Sequence, residues 1–86
     1  MFTVIWNTAV LDRLAELYVA APVEERERMA VGVSSLNRRL ADDPLDVGES
    51  RDANGRVAFP ALLMVRFRVD VPARTVRVTG ISRFGR

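Results

Sequence analysis

Eighty-six residues, 49% apolar and 28% charged, suffice for one globular domain over residues 1–86 and leave no room for a second. With no cysteine and no histidine, the chain cannot form disulfides or thiolate metal sites and lacks the commonest general base, so neither a metal nor a cofactor is expected. Net charge is only +2, yet the pI is about 10.4, because all thirteen basic residues are arginine. An arginine-only complement fits either the codon bias of a G+C-rich genome or selection for phosphate and carboxylate recognition.

The chain begins Met1-Phe2-Thr3-Val4-Ile5-Trp6, with no basic segment ahead of an apolar core, so no signal peptide is expected. The longest apolar run, residues 57–65, contains Pro60 and is too short to span a bilayer. A cytoplasmic protein without membrane contact is the expectation. Residues 2–6 read as a strand, with Phe2, Val4 and Trp6 on one face. Asn7 or Thr8 then caps a helix in which Val10 or Leu11, Leu14, Leu17 or Tyr18, and Ala21 recur at helical spacing. Ala21-Pro22 interrupts it, and proline suits the first turn of a new helix.

That second helix is expected over residues 22–41. Glu24, Glu25 and Glu27 crowd its start and Arg38 and Arg39 its end, as the helix dipole favours. Met29, Val33, Leu36 and Leu40 form its apolar stripe. Gly32 either weakens its middle or permits close packing. Asp42-Asp43-Pro44 stops it, completing a helical hairpin. Residues 46–55 are polar and end in the turn signal Asn54-Gly55. Residues 56–59 fit a strand with Pro60 at an edge or bulge. Residues 62–71 and 75–82 alternate as a hairpin joined through Pro72-Ala73-Arg74. The order is β-α-α-β-β-β, an α+β fold in which a small, mostly antiparallel sheet carries both helices on one face. Trp6, Leu14, Met29, Val33, Leu36, Leu40, Val65, Phe67, Val69, Val76 and Val78 are the expected core, with Phe84 either packed at the end of the sheet or exposed as a contact for a partner.

Only Asp70 follows Asp52, whereas seven arginines lie from Arg56 onward, so the C-terminal third is a basic module. Strict alternation puts Leu63, Val65, Phe67, Val69 and Val71 on one face of the first hairpin strand and Leu62, Met64, Arg66, Arg68 and Asp70 on the other. In the last strand Val76, Val78 and Gly80 oppose Arg77, Thr79, Ile81 and Arg83. With the apolar faces under the helices, Arg66, Arg68, Arg77 and Arg83 share the exposed face, and Arg56 and Arg86 extend it. Each alone suits the wet side of a sheet. Together they make a single-sign field that attracts nucleic acid or an acidic protein.

Val4-Ile5-Trp6 running into a helix, then Leu36-Asn37-Arg38-Arg39-Leu40 leading to Pro44 and Gly48, resemble the RelE/ParE toxin superfamily of type II toxin–antitoxin systems. So does the hairpin from Val65-Arg66-Phe67-Arg68-Val69-Asp70 to Thr75-Val76-Arg77-Val78-Thr79-Gly80-Ile81-Ser82-Arg83, where Phe67-Arg68-Val69 takes the place of the family's "Y-x-V" phrase. The resemblance covers nearly the whole chain. It implies a growth-inhibiting toxin, of the kind linked to plasmid stabilization, neutralised by a cognate acidic antitoxin that adds structure against the sheet or the helical hairpin. RelE-like members are RNA-binding messenger-RNA interferases acting at the ribosome, and ParE-like members poison DNA gyrase.

RNA cleavage needs groups that take and give a proton beside the phosphate. The chain departs from the RelE-like pattern there. Met64 stands where an arginine is expected, lysine and histidine are absent, and the one tyrosine, Tyr18, lies in the first helix. Arginine binds phosphate but stays protonated. Glu49 and Asp52 are the nearest acids, and loop solvation accounts for both. The expected function is therefore a toxin that binds a target such as gyrase and does not act as an enzyme. If it is an endoribonuclease, Arg66, Arg68, Arg77 and Arg83 surround the phosphate. An inactive relative, pairing through its strand edge as a small interaction domain, is the third reading. A homodimer is compatible with each.

Overall fold

The computed structural model describes residues 1–52 and 55–85, so Asn54 of the expected turn and Arg86 lie outside the described residues. Strand β1 (Thr3–Trp6) runs directly into helix α1 (Thr8–Ala20). Asn7 is the cap: its side-chain oxygen accepts the Val10 N–H at 2.9 Å, satisfying one of the orphan donors of the first turn. Pro22, in extended geometry, separates α1 from helix α2 (Val23–Asp42) and serves as its N-cap residue rather than its first turn. Arg26 fixes the break. Its guanidinium donates to the carbonyls of Tyr18 (3.1 Å), Val19 (3.0 Å) and Ala21 (3.2 Å) at the end of α1, where the Tyr18 carbonyl also accepts the Ala21 N–H at 3.2 Å. The same group lies 5.7 Å from the centre of the Tyr18 ring.

After a 3-10 turn (Pro44–Asp46) come β2 (Glu49–Ser50), β3 (Gly55–Ala58), β4 (Leu63–Asp70) and β5 (Thr75–Arg83). The sheet order is β1-β5-β4-β3-β2, with β1 parallel to β5 and every other pair antiparallel. The α+β architecture is the expected one, enlarged by β2, a two-residue strand inside the stretch read as polar turn. Its pairing with β3, Glu49 opposite Val57, depends on a tertiary partner and not on local propensity.

Both helices cover one face of the sheet. Between the layers lie Val10, Met29, Leu36, Leu40, Leu63, Val65, Phe67, Val69, Val76 and Val78, with Trp6, Leu14 and Val33 packed against them, so all eleven expected core residues are in or on the core. Trp6 also donates its indole N–H to Asn37 at 2.8 Å, tying β1 to α2. Gly32 permits close packing: a Cβ there would meet the Ala61 Cβ at 3.2 Å, and Ala61 itself has φ of 52°. Among the described residues, no helix is long and apolar enough to cross a membrane.

One irregularity changes the faces. Arg66 pairs with Gly80 but Phe67 pairs with Val78, so Thr79 is an extra residue, a β-bulge. Beyond it the alternation of β5 reverses. Ile81, expected outside, is 5% exposed in the core opposite Val65. Gly80, expected inside, turns to the outer face. Arg83, expected outside, pairs with fully buried Leu63 and points to the helix side.

Candidate binding surfaces

On the outer sheet face, the register brings Arg68 directly opposite Arg77, and Arg66 two residues along the same strand. Directly opposed residues in an antiparallel pair stand about 5 Å apart at Cβ, and like charges placed so repel. All three arginines are exposed, and among the described residues their side chains form no ion pair or hydrogen bond. The Arg66 guanidinium lies over Gly80, which is buried beneath it, at the place a Cβ would occupy. Thr79 donates its hydroxyl to the Arg66 carbonyl (3.3 Å), holding the bulge against β4. Asp70, the acid on this strand face, accepts the Ala73 N–H at 3.1 Å and so shapes the hairpin turn. Arg68, Asp70, Thr75 and Arg77 line a shallow depression of about 450 Å³ at the hairpin end.

The remaining arginines of the expected site do not join this face. Arg56 is opposite Phe67 and therefore on the helix side. It donates to the carbonyls of Val47 (3.0 Å) and Gly48 (3.3 Å), fastening the segment after the 3-10 turn to the sheet. Arg83 reaches Glu25 in the first turn of α2 at 3.1 Å. The bulge is the physical reason for that displacement. Phe84 follows with its ring 4.7 Å from that of Phe59, yet it stays half-exposed and outside the core. Arg86 lies outside the described residues. Met64, standing where the sequence resemblance implied an arginine, is opposite Ser82 on the outer face. Glu49 pairs with Arg51 at 3.2 Å, and Asp52 accepts the Gly55 N–H at 2.7 Å, so both acids have structural partners.

The helix side carries a second surface, not anticipated from the sequence. α1 and α2 splay apart over a groove of about 690 Å³ lined by Trp6, Leu11, Leu14, Tyr18, Val19, Met29 and Val33. Leu11 is 48% and Val19 71% exposed. The signal was present. Val10 with Leu11, and Leu17 with Tyr18, make the apolar stripe of α1 wider than burial against one sheet requires. Exposed apolar area gathered in this way marks a contact surface for a protein, a membrane or an apolar ligand.

No protein-family model and no curated protein sequence matches the chain. Solved structures do. The toxin–antitoxin complex RelBE2 from Mycobacterium tuberculosis contains a chain of TM-score 0.73 and 21% identity, the match covering 95% of this chain and 90% of that one. A chain of the chromosomal ParDE toxin–antitoxin system of P. aeruginosa matches with TM-score 0.68 and 18% identity over 99% and 98% of the two chains. One from the archaeal RelE–RelB complex of Pyrococcus horikoshii OT3 gives 0.69 and 14% over 99% and 97%. The chain shares its fold with these chains from RelBE2, ParDE and RelE–RelB toxin–antitoxin complexes.

Proposed function

We propose that residues 1–86 are the toxin component of a type II toxin–antitoxin pair, a cytoplasmic protein that stops growth by binding its target, DNA gyrase in the ParE manner, and not by cutting RNA. The observation that carries this reading is the composition of the outer face. Arg66, Arg68 and Arg77 are exposed and, among the described residues, without an ion-pair partner, whereas Asp70 is engaged in the turn and Met64 occupies the position of an expected arginine. Three guanidiniums bind anions and transfer no protons. A cognate acidic antitoxin fits the second surface, its apolar helix face in the groove between α1 and α2 and its carboxylates toward exposed Arg38 at the margin.

The messenger-RNA interferase is the second reading, favoured by the same cationic face, with Arg83 as its fourth arginine. The Arg83–Glu25 pair counts against it, since it draws that guanidinium to the helix side. Induced expression without antitoxin, following labelled methionine and labelled thymidine together, separates the two. Early failure of thymidine incorporation is expected. Early failure of methionine incorporation favours the interferase, and unchanged growth with both labels entering normally removes the toxin reading altogether.

A further inference from the structure

Helix α2 turns Met29, Leu36 and Leu40 into the core, and helical spacing puts Glu27, Val31, Ser34 and Arg38 on the opposite, outward ridge. All four are exposed, Val31 by 61%. Glu27 has no base three or four residues away on either side, and Asp42, one turn beyond Arg38, makes no ion pair with it. Positions 27 and 38 lie roughly 16 Å apart along the helix, too far to pair within one chain. Among the described residues neither side chain has an ion-pair or hydrogen-bond partner.

The ridge is complementary to itself. About a point midway between Gly32 and Val33, Glu27 is mirrored by Arg38, Val31 by Ser34 and Ala30 by Ser35. Two such helices crossing antiparallel on a two-fold axis at that point set Glu27 of each copy against Arg38 of the other. Val31 then meets Ser34 between the two charge pairs, each about 8 Å along the helix from the axis. An isologous contact requires this pattern, one patch that serves as its own partner. The small side chains of Ala30 and Ser34 at the crossing let the helix backbones approach closely. A shallow depression of about 720 Å³ follows the ridge from Val23 to Arg38 and gives the second helix a seat.

We propose that this ridge docks on the same ridge of a second copy of the chain, held in antiparallel register by two Glu27–Arg38 pairs. Self-association of this kind does not depend on the chain being a toxin. On the toxin reading, Arg38 is also the group toward which antitoxin carboxylates point, so an acidic antitoxin competes with the second copy for it. One helix pair makes an interface at the small end of the range, so the dimer is weak, with Kd on the order of 10–100 µM. Charge fixes its register and its choice of partner more than its strength.

Sedimentation equilibrium of the purified full chain at low salt, over concentrations spanning that Kd, is the test. The mean mass is expected to climb from the 9.6 kDa of one chain toward twice that value. Glu27→Arg and Arg38→Glu each set like charges against one another at both ends of the contact. Each alone should weaken association by about tenfold or more. Both should melt with the parent, because the positions are exposed. Mixed in equal amounts, the two variants regain both opposite-charge pairs, so the mixture should associate as the parent does although neither component does so alone. A parent that stays at single-chain mass, single variants that associate undiminished, or a mixture that stays monomeric would each overturn the proposal. None of those results touches the toxin reading, which growth arrest tests separately.

Discussion

Gly48, just ahead of β2, and Gly80, within β5, have surroundings that predict opposite tolerance. Gly48 has φ of 67°, and a Cβ there would run into the backbone carbonyl of Val57. Left-handed backbone alone costs an L-residue about 1–2 kcal/mol, and a main-chain oxygen cannot step aside. Gly48→Ala should therefore lower stability by roughly 2 kcal/mol or more in urea denaturation. A Cβ at Gly80 would meet the far end of the Arg66 side chain, which can swing away. Gly80→Ala should fold as well as the parent or gain about 0.5–1 kcal/mol from reduced chain entropy. If Gly80→Ala unfolds the protein, the Arg66 guanidinium is a structural plug and not a displaceable ligand arm. Family resemblance singled out Gly48 by sequence, but nothing in the chain marks which neighbour each glycine faces.

At the scale of the element, the bulge decides most of what the sequence left hidden. Hydrophobic periodicity located β1, both helices and the β4–β5 hairpin, because each buries one face and its pattern repeats with the period of its own backbone. Period-two reading fails beyond Thr79, since a single unpaired residue reverses every later side chain. Arg83 and Ile81 exchange places with their expected positions for that reason alone. Arg56 moved for a related one: the register of β3 on β4, fixed by contacts far apart in sequence, sets it opposite Phe67. Strand β2 was missed because two polar residues carry no periodicity at all. The bulge has a direct test. Under strict alternation Ile81→Ala is a surface change worth less than about 0.5 kcal/mol. With Ile81 5% exposed and packed opposite Val65, it should cost about 2–4 kcal/mol by thermal or urea unfolding. A loss below 1 kcal/mol would return Ile81, and Arg83 with it, to the outer face.

For the whole molecule, the cluster of three arginines and the apolar groove lie on opposite sides of one sheet. Arg66, Arg68 and Arg77 face outward from β4 and β5, while the groove of Leu11, Leu14, Tyr18 and Val19 opens between the helices on the far side. On the toxin function proposed above, the chain would meet its target and its antitoxin through separate surfaces, and the two could be broken separately. Val19 is the position for the second break. It is 71% exposed on the wall of the groove, so Val19→Glu should shift stability by no more than about 0.5 kcal/mol. Seated against an apolar helix of an acidic partner, the same glutamate is desolvated and repelled. A loss of affinity of at least tenfold is expected, the scale of one disrupted central contact. Trp6, the single tryptophan, lines the groove, so its fluorescence reports occupancy directly in a titration with purified antitoxin. In cells, Val19→Glu should arrest growth as the parent does but escape rescue by co-expressed antitoxin. Arg68→Gln with Arg77→Gln should do the reverse, losing toxicity while still quenching or shifting Trp6 when antitoxin is added. If the antitoxin rescues Val19→Glu fully and leaves Trp6 emission unchanged, neutralisation proceeds on the sheet side, and the groove serves some other partner.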